Sequence, residues 1–166
     1  MVDPAGQQSA RPPSKKTLAA IMGSAALAAG TMGALTSLEG NKNVGYRDIV
    51  GVPTNCMGNT KNVVVGKYYP PAECDRINEA QAIAHAEIVK RCTPRLTGYQ
   101  LEAAVLLTYN IGGSAYCKST VARRFNAGDL RGGCDAFLAW NRAGGRIVRG
   151  LANRRAFERS ICVKGL

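Results

Sequence analysis

The sequence has a single histidine, His85, and no CxxC or HxxxH spacing, so it lacks the donor set of a zinc site. It has no GxSxG elbow and no glycine-rich phosphate-binding fingerprint, which removes serine hydrolases of that type and nucleotide-dependent enzymes. Aromatic residues make up 6% of the chain and are not interleaved with its basic residues, so it offers no platform for stacking nucleic-acid bases. Cysteine is missing from the first 55 residues. No cofactor, no metal and no nucleic-acid partner is expected. Acid is also scarce, with 11 Asp and Glu against 22 Lys and Arg.

That imbalance gives a net charge of +11. Three of the basic residues and one acidic residue precede Glu39, so the remainder holds 19 against 10 and is strongly basic by itself. The field favours a polyanionic partner, whether nucleic acid, an anionic membrane surface or an acidic wall polymer, and charge alone gives only the partner's sign. Six cysteines (Cys56, Cys74, Cys92, Cys117, Cys134 and Cys162) lie beyond the apolar N-terminal run. An even count beside an export-like N-terminus points to disulfides, although spacing cannot choose among the pairings.

Three segments are legible. Residues 1–16, with three Pro and no hydrophobic periodicity, read as a disordered basic head ending at Lys15-Lys16. Residues 17–38 are uncharged and rich in Ala, Gly, Ser and Thr. As one helix they would span about 33 Å, enough for a bilayer core. Three readings are open for this run: a cleaved signal peptide, a membrane segment, or a core helix covered on every face. The positive charges ahead of it favour export, with the chain beyond it on the far side of the membrane. Residues 39–166 are long enough for one compact domain. Within it, residues 40–70 are broken by Gly and Pro, with short β-branched pieces at Asp48–Val50 and Val63–Val65 that suggest hairpins. Apolar stripes at helical spacing follow over 72–91, 97–110, 115–126, 131–141 and 151–162. This order predicts an α+β fold, a small β-hairpin lobe and a larger helical lobe with a cleft between them.

Without a nucleophile, a metal or a catalytic histidine, the remaining chemistry is that of carboxylates. His85, on a helix among Ile83, Ala84 and Ala86, reads as structural. Two carboxylates can cleave a glycosidic bond, one protonating the leaving oxygen and the other managing a water. Composition does not say which two. The residues Glu39-Gly40, Tyr46-Arg47-Asp48, Gly51-Val52-Pro53-Thr54 and Gly58-Asn59-Thr60 do, because Glu39 and Asp48 stand nine apart and Asp48 and Thr54 six apart. This pattern resembles the active-site region of phage-type lysozymes, the muramidases related to the T4 enzyme in glycoside hydrolase family 24. The likeness continues through Tyr109-Asn110-Ile111-Gly112, Asn126-Ala127-Gly128-Asp129, Trp140-Asn141-Arg142-Ala143-Gly144-Gly145 and Arg154-Arg155 with Glu158. It covers about residues 39–162 in order.

The resemblance implies a lysozyme-like fold and hydrolysis of the β-1,4 bond between N-acetylmuramic acid and N-acetylglucosamine. Glu39 would be the general acid, which burial can help keep protonated near neutral pH. Asp48 and Thr54 would hold the attacking water, with inversion at the sugar. Tyr46, Asn110 and Trp140 would contact substrate. The cluster Arg154, Arg155, Glu158 and Arg159 reads instead as a solvated helix face with i,i+4 pairing. Context from exported relatives implies the disulfides Cys134–Cys162, Cys92–Cys117 and Cys56–Cys74. The implied biology is an endolysin of the signal-anchor-release type, a monomer acting on peptidoglycan glycan strands. It would be held transiently through residues 17–38 at the periplasmic face of the host inner membrane, then released into the periplasm. A signal-cleaved wall-remodelling muramidase and a wall-binding protein without catalysis are the alternatives. Two departures stand out: Asn59 replaces a histidine common in relatives, which questions the hairpin's stability, and Pro53 removes a backbone donor beside Thr54.

Overall fold

The computed structural model describes residues 16–166. The proposed disordered head therefore lies outside the described residues except for Lys16, whose Nζ is 3.7 Å from Glu87 Oε1. The apolar run is not one helix. It forms α1 (Leu18–Met22) and α2 (Ala25–Glu39), separated by Gly23 and Ser24. Gly23 takes φ 87, a left-handed conformation that ends α1, and the Ser24 hydroxyl accepts from Leu27 N–H to start α2. Leu18, Met22 and Leu35 join the hydrophobic core, but Ala25, Ala26, Ala29, Gly33 and Ser37 are exposed, so the run packs on the domain by one face and is not covered on every face. Among the described residues no helix is long and apolar enough to cross a membrane. Gly30 lets α2 approach α4 (Gly98–Ile111) closely, since a Cβ there would stand 3.1 Å from the buried Glu102 carboxyl.

The β lobe follows at once, with β1 (Lys42–Arg47) antiparallel to β2 (Pro53–Cys56) and Tyr46 opposite Thr54. This corrects the sequence-based placement of strands at Asp48–Val50 and Val63–Val65. Asp48–Val50 belongs to the turn, because the Asp48 side chain caps the turn's own N–H groups. Val63–Val65 lies in an irregular segment that bonds to β1 through Gly45 N–H to Lys67 O and Gly66 N–H to Gly45 O. Gly45 permits that approach, as a Cβ would meet Val64 O at 2.2 Å. Pro53 costs little as the first residue of β2, where a missing N–H is tolerated.

Pro71 at the first turn of α3 (Pro71–Cys92) opens the helical lobe. Within α4, every residue from Leu101 to Thr108 is buried, so its lack of amphipathicity reflects a central position, with α2, α3 and α8 (Arg149–Cys162) packed around it. The expected helix over 115–126 is two, α5 (Gly113–Cys117) and α6 (Thr120–Asn126), because Ser119 caps a new start by accepting from Ala122 N–H. The expected 131–141 helix is α7 (Leu130–Asp135) followed by a 3₁₀ turn (Ala136–Ala139). A small hairpin, β3 (Arg142–Ala143) and β4 (Arg146–Ile147), then leads into α8. The disulfides Cys56–Cys74, Cys92–Cys117 and Cys134–Cys162 are all present. Each restricts the unfolded chain and so favours a small exported domain.

Leu35 is fully buried on α2. Leu35→Ala should therefore destabilise the fold by about 2–5 kcal/mol in chemical denaturation. An unchanged midpoint would mean that α2 is not part of the core.

Candidate active site

Glu39 is the last residue of α2, between the helical lobe and the β lobe. Its Oε1 accepts from Arg154 Nη2 at 2.7 Å, with the two side chains 22% and 11% exposed. Arg154 Nε also donates to Glu158 Oε1 at 2.9 Å. Arg155 Nη2 reaches the same oxygen at 3.1 Å and Asn110 Oδ1 at 2.8 Å. Two carboxyl groups and two guanidinium groups thus join the end of α2 to α8 and to the end of α4.

This arrangement overturns the reading of Arg154, Arg155 and Glu158 as a solvated face. Arg155 and Glu158 are fully buried, whereas Phe157 on the same helix is 41% exposed. The stripe Arg155, Glu158 and Cys162 faces inward because Cys162 must meet Cys134, and the helical period carries the two charged residues in with it. The inward direction of Cys162 was the available sequence signal. Burial pushes the Glu158 carboxyl up despite both arginines, and pushes the Arg155 guanidinium down despite Glu158. Arg159 remains at the surface, paired with Asp135.

Asp48 closes the turn between β1 and β2. Its Oδ1 accepts from Val50 N–H at 2.9 Å and Val52 N–H at 2.8 Å. These bonds fix the carboxylate plane and leave Oδ2 without a protein partner among the described residues. Thr54, buried on β2, donates its hydroxyl to Val52 O at 2.9 Å, which turns the oxygen's lone pairs away from that carbonyl. Tyr46 is half-buried beside Thr54 in the β1–β2 register, under the Lys42 ammonium at 4.1 Å. Asn110 is exposed and enters the network through Arg155. Trp140 lies elsewhere: it packs on the core and lines a groove of about 750 Å³ with Lys118, Ser119, Arg124 and Asp135, away from Glu39, Asp48 and Thr54.

Asn59 answers the question raised by the missing histidine. It is buried, donates to Asn55 Oδ1 at 2.7 Å and to Lys61 O at 3.0 Å, and accepts from Lys61 N–H at 3.2 Å. An amide side chain therefore pins the end of the hairpin. Tyr109 ties the lobes by donating to Met57 O at 2.7 Å. Burial, with the Glu39 charge adding to it, pushes the Tyr109 phenol well up, so it stays a donor. His85 stacks on Tyr109 with ring centroids 4.7 Å apart, and its Nδ1 meets Gln81 O, a structural role. Among the described residues no His, Cys, Asp and Glu group could hold a metal ion.

The phage lysozyme family model matches residues 36–158. The SAR-endolysin of Enterobacteria phage P21 is 36% identical over 162 residues, covering 93% of this chain and 98% of the relative. Among solved structures, a P22 lysozyme variant is 27% identical with a TM-score of 0.73, covering 80% of this chain and 94% of its own. The active form of the P1 phage endolysin shares the fold, with a TM-score of 0.74 over 90% of this chain and 97% of its own at 19% identity.

Truncating Asn59→Ala leaves the buried Asn55 amide without its partner. The expected loss is about 1–3 kcal/mol of stability in denaturant melts, with no new exposed surface.

Proposed function

This chain belongs to the phage lysozyme family, and from that premise we propose that it is an endolysin. It cuts the β-1,4 bond between N-acetylmuramic acid and N-acetylglucosamine and so lyses a bacterial host. The family makes it a glycoside hydrolase of the muramidase kind, with peptidoglycan as its substrate class. The observation that carries the reading is the Glu39 carboxyl, held at 2.7 Å by Arg154 where α2, the hairpin and α8 meet, with Asp48 and Thr54 on the hairpin that follows.

In this reading Glu39 delivers a proton to the leaving glycosidic oxygen. Asp48, oriented through Oδ1, uses its free Oδ2 to take a proton from water, and Thr54 accepts the second hydrogen bond of that water. Attack from the face opposite the leaving group inverts the anomeric carbon. Tyr46, next to Thr54 in the sheet, is the nearest of the three candidate contact residues to this chemistry. Asn110 acts through Arg155, and Trp140 serves a more distant part of the glycan. The charge of +11 suits an anionic wall.

The apolar run supplies the route. Straightened across Gly23 and Ser24, residues 17–38 make a helix of about 33 Å that reaches across a bilayer core. Export through this segment would hold the domain at the periplasmic face of the inner membrane until release. Relatives that carry the name SAR-endolysin support this sequence of events. The packing of Leu18 and Met22 supports retention of the run over signal cleavage, since removal near Ala28 would take α1 and the first turn of α2 away from the core.

Clearing of Gram-negative peptidoglycan by the full chain tests the reading. Glu39→Gln is expected to lower the rate at least about 100-fold with the far-UV spectrum unchanged. Clearing at the wild-type rate would remove Glu39 from the role of acid.

A further inference from the structure

We propose that Glu158 is a positioning residue for hydrolysis: it shares the Arg154 guanidinium with Glu39 and thereby keeps the Glu39 carboxyl able to carry its proton to the substrate. The inference rests on the assignment of Glu39 as the acid. An arginine beside a general acid is a problem, because its charge favours the ionised form that has no proton to give. Here the same guanidinium is engaged by a second carboxylate through a different nitrogen, Nε, at 2.9 Å. Glu158 has no exposed side-chain surface and Arg154 has 11%, so water screens little of the coupling among the three groups.

The geometry makes Glu158 the hub. Its Oε1 takes both Arg154 and Arg155, while its Oε2 has no partner among the described residues. Arg155 is also fully buried and leaves Nε and Nη1 without partners there. A buried pair arranged only for stability would saturate these groups or be replaced by apolar side chains. This pair instead connects, in two steps, with a residue at the active site. The charged and titratable groups around Glu39 are Arg154, Arg155 and Glu158 from α8 and Tyr109 from α4. The strand and turn that follow it bring Lys42, Arg47 and Asp48, and α1 has no ionisable side chain. Of these, Glu158 is the acidic group that meets the Arg154 guanidinium alongside Glu39.

The sign follows. Negative charge at Glu158 opposes ionisation of Glu39, so neutralising it leaves Arg154 acting on Glu39 without a competitor. The alkaline limb of the activity profile then moves to lower pH.

The test is the pH dependence of kcat and kcat/KM for peptidoglycan hydrolysis by the full chain. In Glu158→Gln the alkaline limb should move down by about one pH unit, with KM nearly unchanged. The double variant Arg155→Met with Glu158→Gln removes one positive and one negative charge together without stranding either, so its limb should lie closer to the wild-type position than that of Glu158→Gln; a limb displaced equally in both variants would overturn the electrostatic account. Glu158→Asp keeps the charge and should return the limb toward the wild-type position. A uniform loss of rate with the limb in place, alongside a lowered melting temperature, would make Glu158 a structural residue and overturn the proposal. Failure of the acid assignment reads differently: Glu39→Gln would then hydrolyse normally, whatever Glu158 does.

Discussion

The contact between Glu39 and Arg154 is the constraint that the site depends on. Glu39 ends a helix whose other residues carry no charge, and Arg154 lies 115 residues further along the chain on α8. Without that bridge the end of α2 would be located mainly by the apolar packing of Met32, Leu35 and Leu38, which is less directional than an ion pair. The bridge fixes it through the paired, directional bonds that a guanidinium makes. A buried ionic cluster of this kind contributes little net stability, yet breaking one member costs about 3–5 kcal/mol because the others are left buried and unpaired. It therefore selects one placement of α2 over its neighbours.

The hairpin is positioned by a separate set of contacts. Tyr109 holds Met57 from α4, Asn59 holds Asn55 and Lys61, and the Cys56–Cys74 disulfide fastens the strand end to α3. These place Thr54 and the turn at Asp48 independently of Glu39. The proposed acid thus arrives on one element, and the proposed water-holding pair on another. In the proposed mechanism the two halves come together only when α2 is docked on the helical lobe.

Much of this was legible in the sequence, and what was not has physical causes. Helices α3, α4 and α8 followed from apolar periodicity, since each buries a stripe or the whole of its surface. The three disulfide pairs followed from the resemblance to exported lysozymes. The strands were misplaced because β-branched residues at Ile49, Val50 and Val63–Val65 suggest strand, while local hydrogen bonding by Asp48 and the close approach of Val64 to Gly45 decide otherwise. The buried face of α8 was misread because opposite charges at i,i+4 spacing usually mark a wet surface. Only the requirement that Cys162 point inward shows that Arg155 and Glu158 must follow. The break at Gly23 and Ser24 was visible as residue types, but an uncharged run gives no sign of whether a glycine will bend it. In the proposed membrane form a straight helix would satisfy the backbone, whereas on the domain the cap at Ser24 does.

The account joins the apolar run and the active site into one device, in which the residues proposed to span the membrane are those that must dock to bring Glu39 to Arg154. Its most direct test is the muramidase activity per molecule of membrane-inserted and released chains, measured on the same peptidoglycan with residues 17–38 intact. The inserted form should be inactive and the released form active. Equal activity in the two forms would contradict the claim, because Glu39 would then be competent with its helix still in the bilayer.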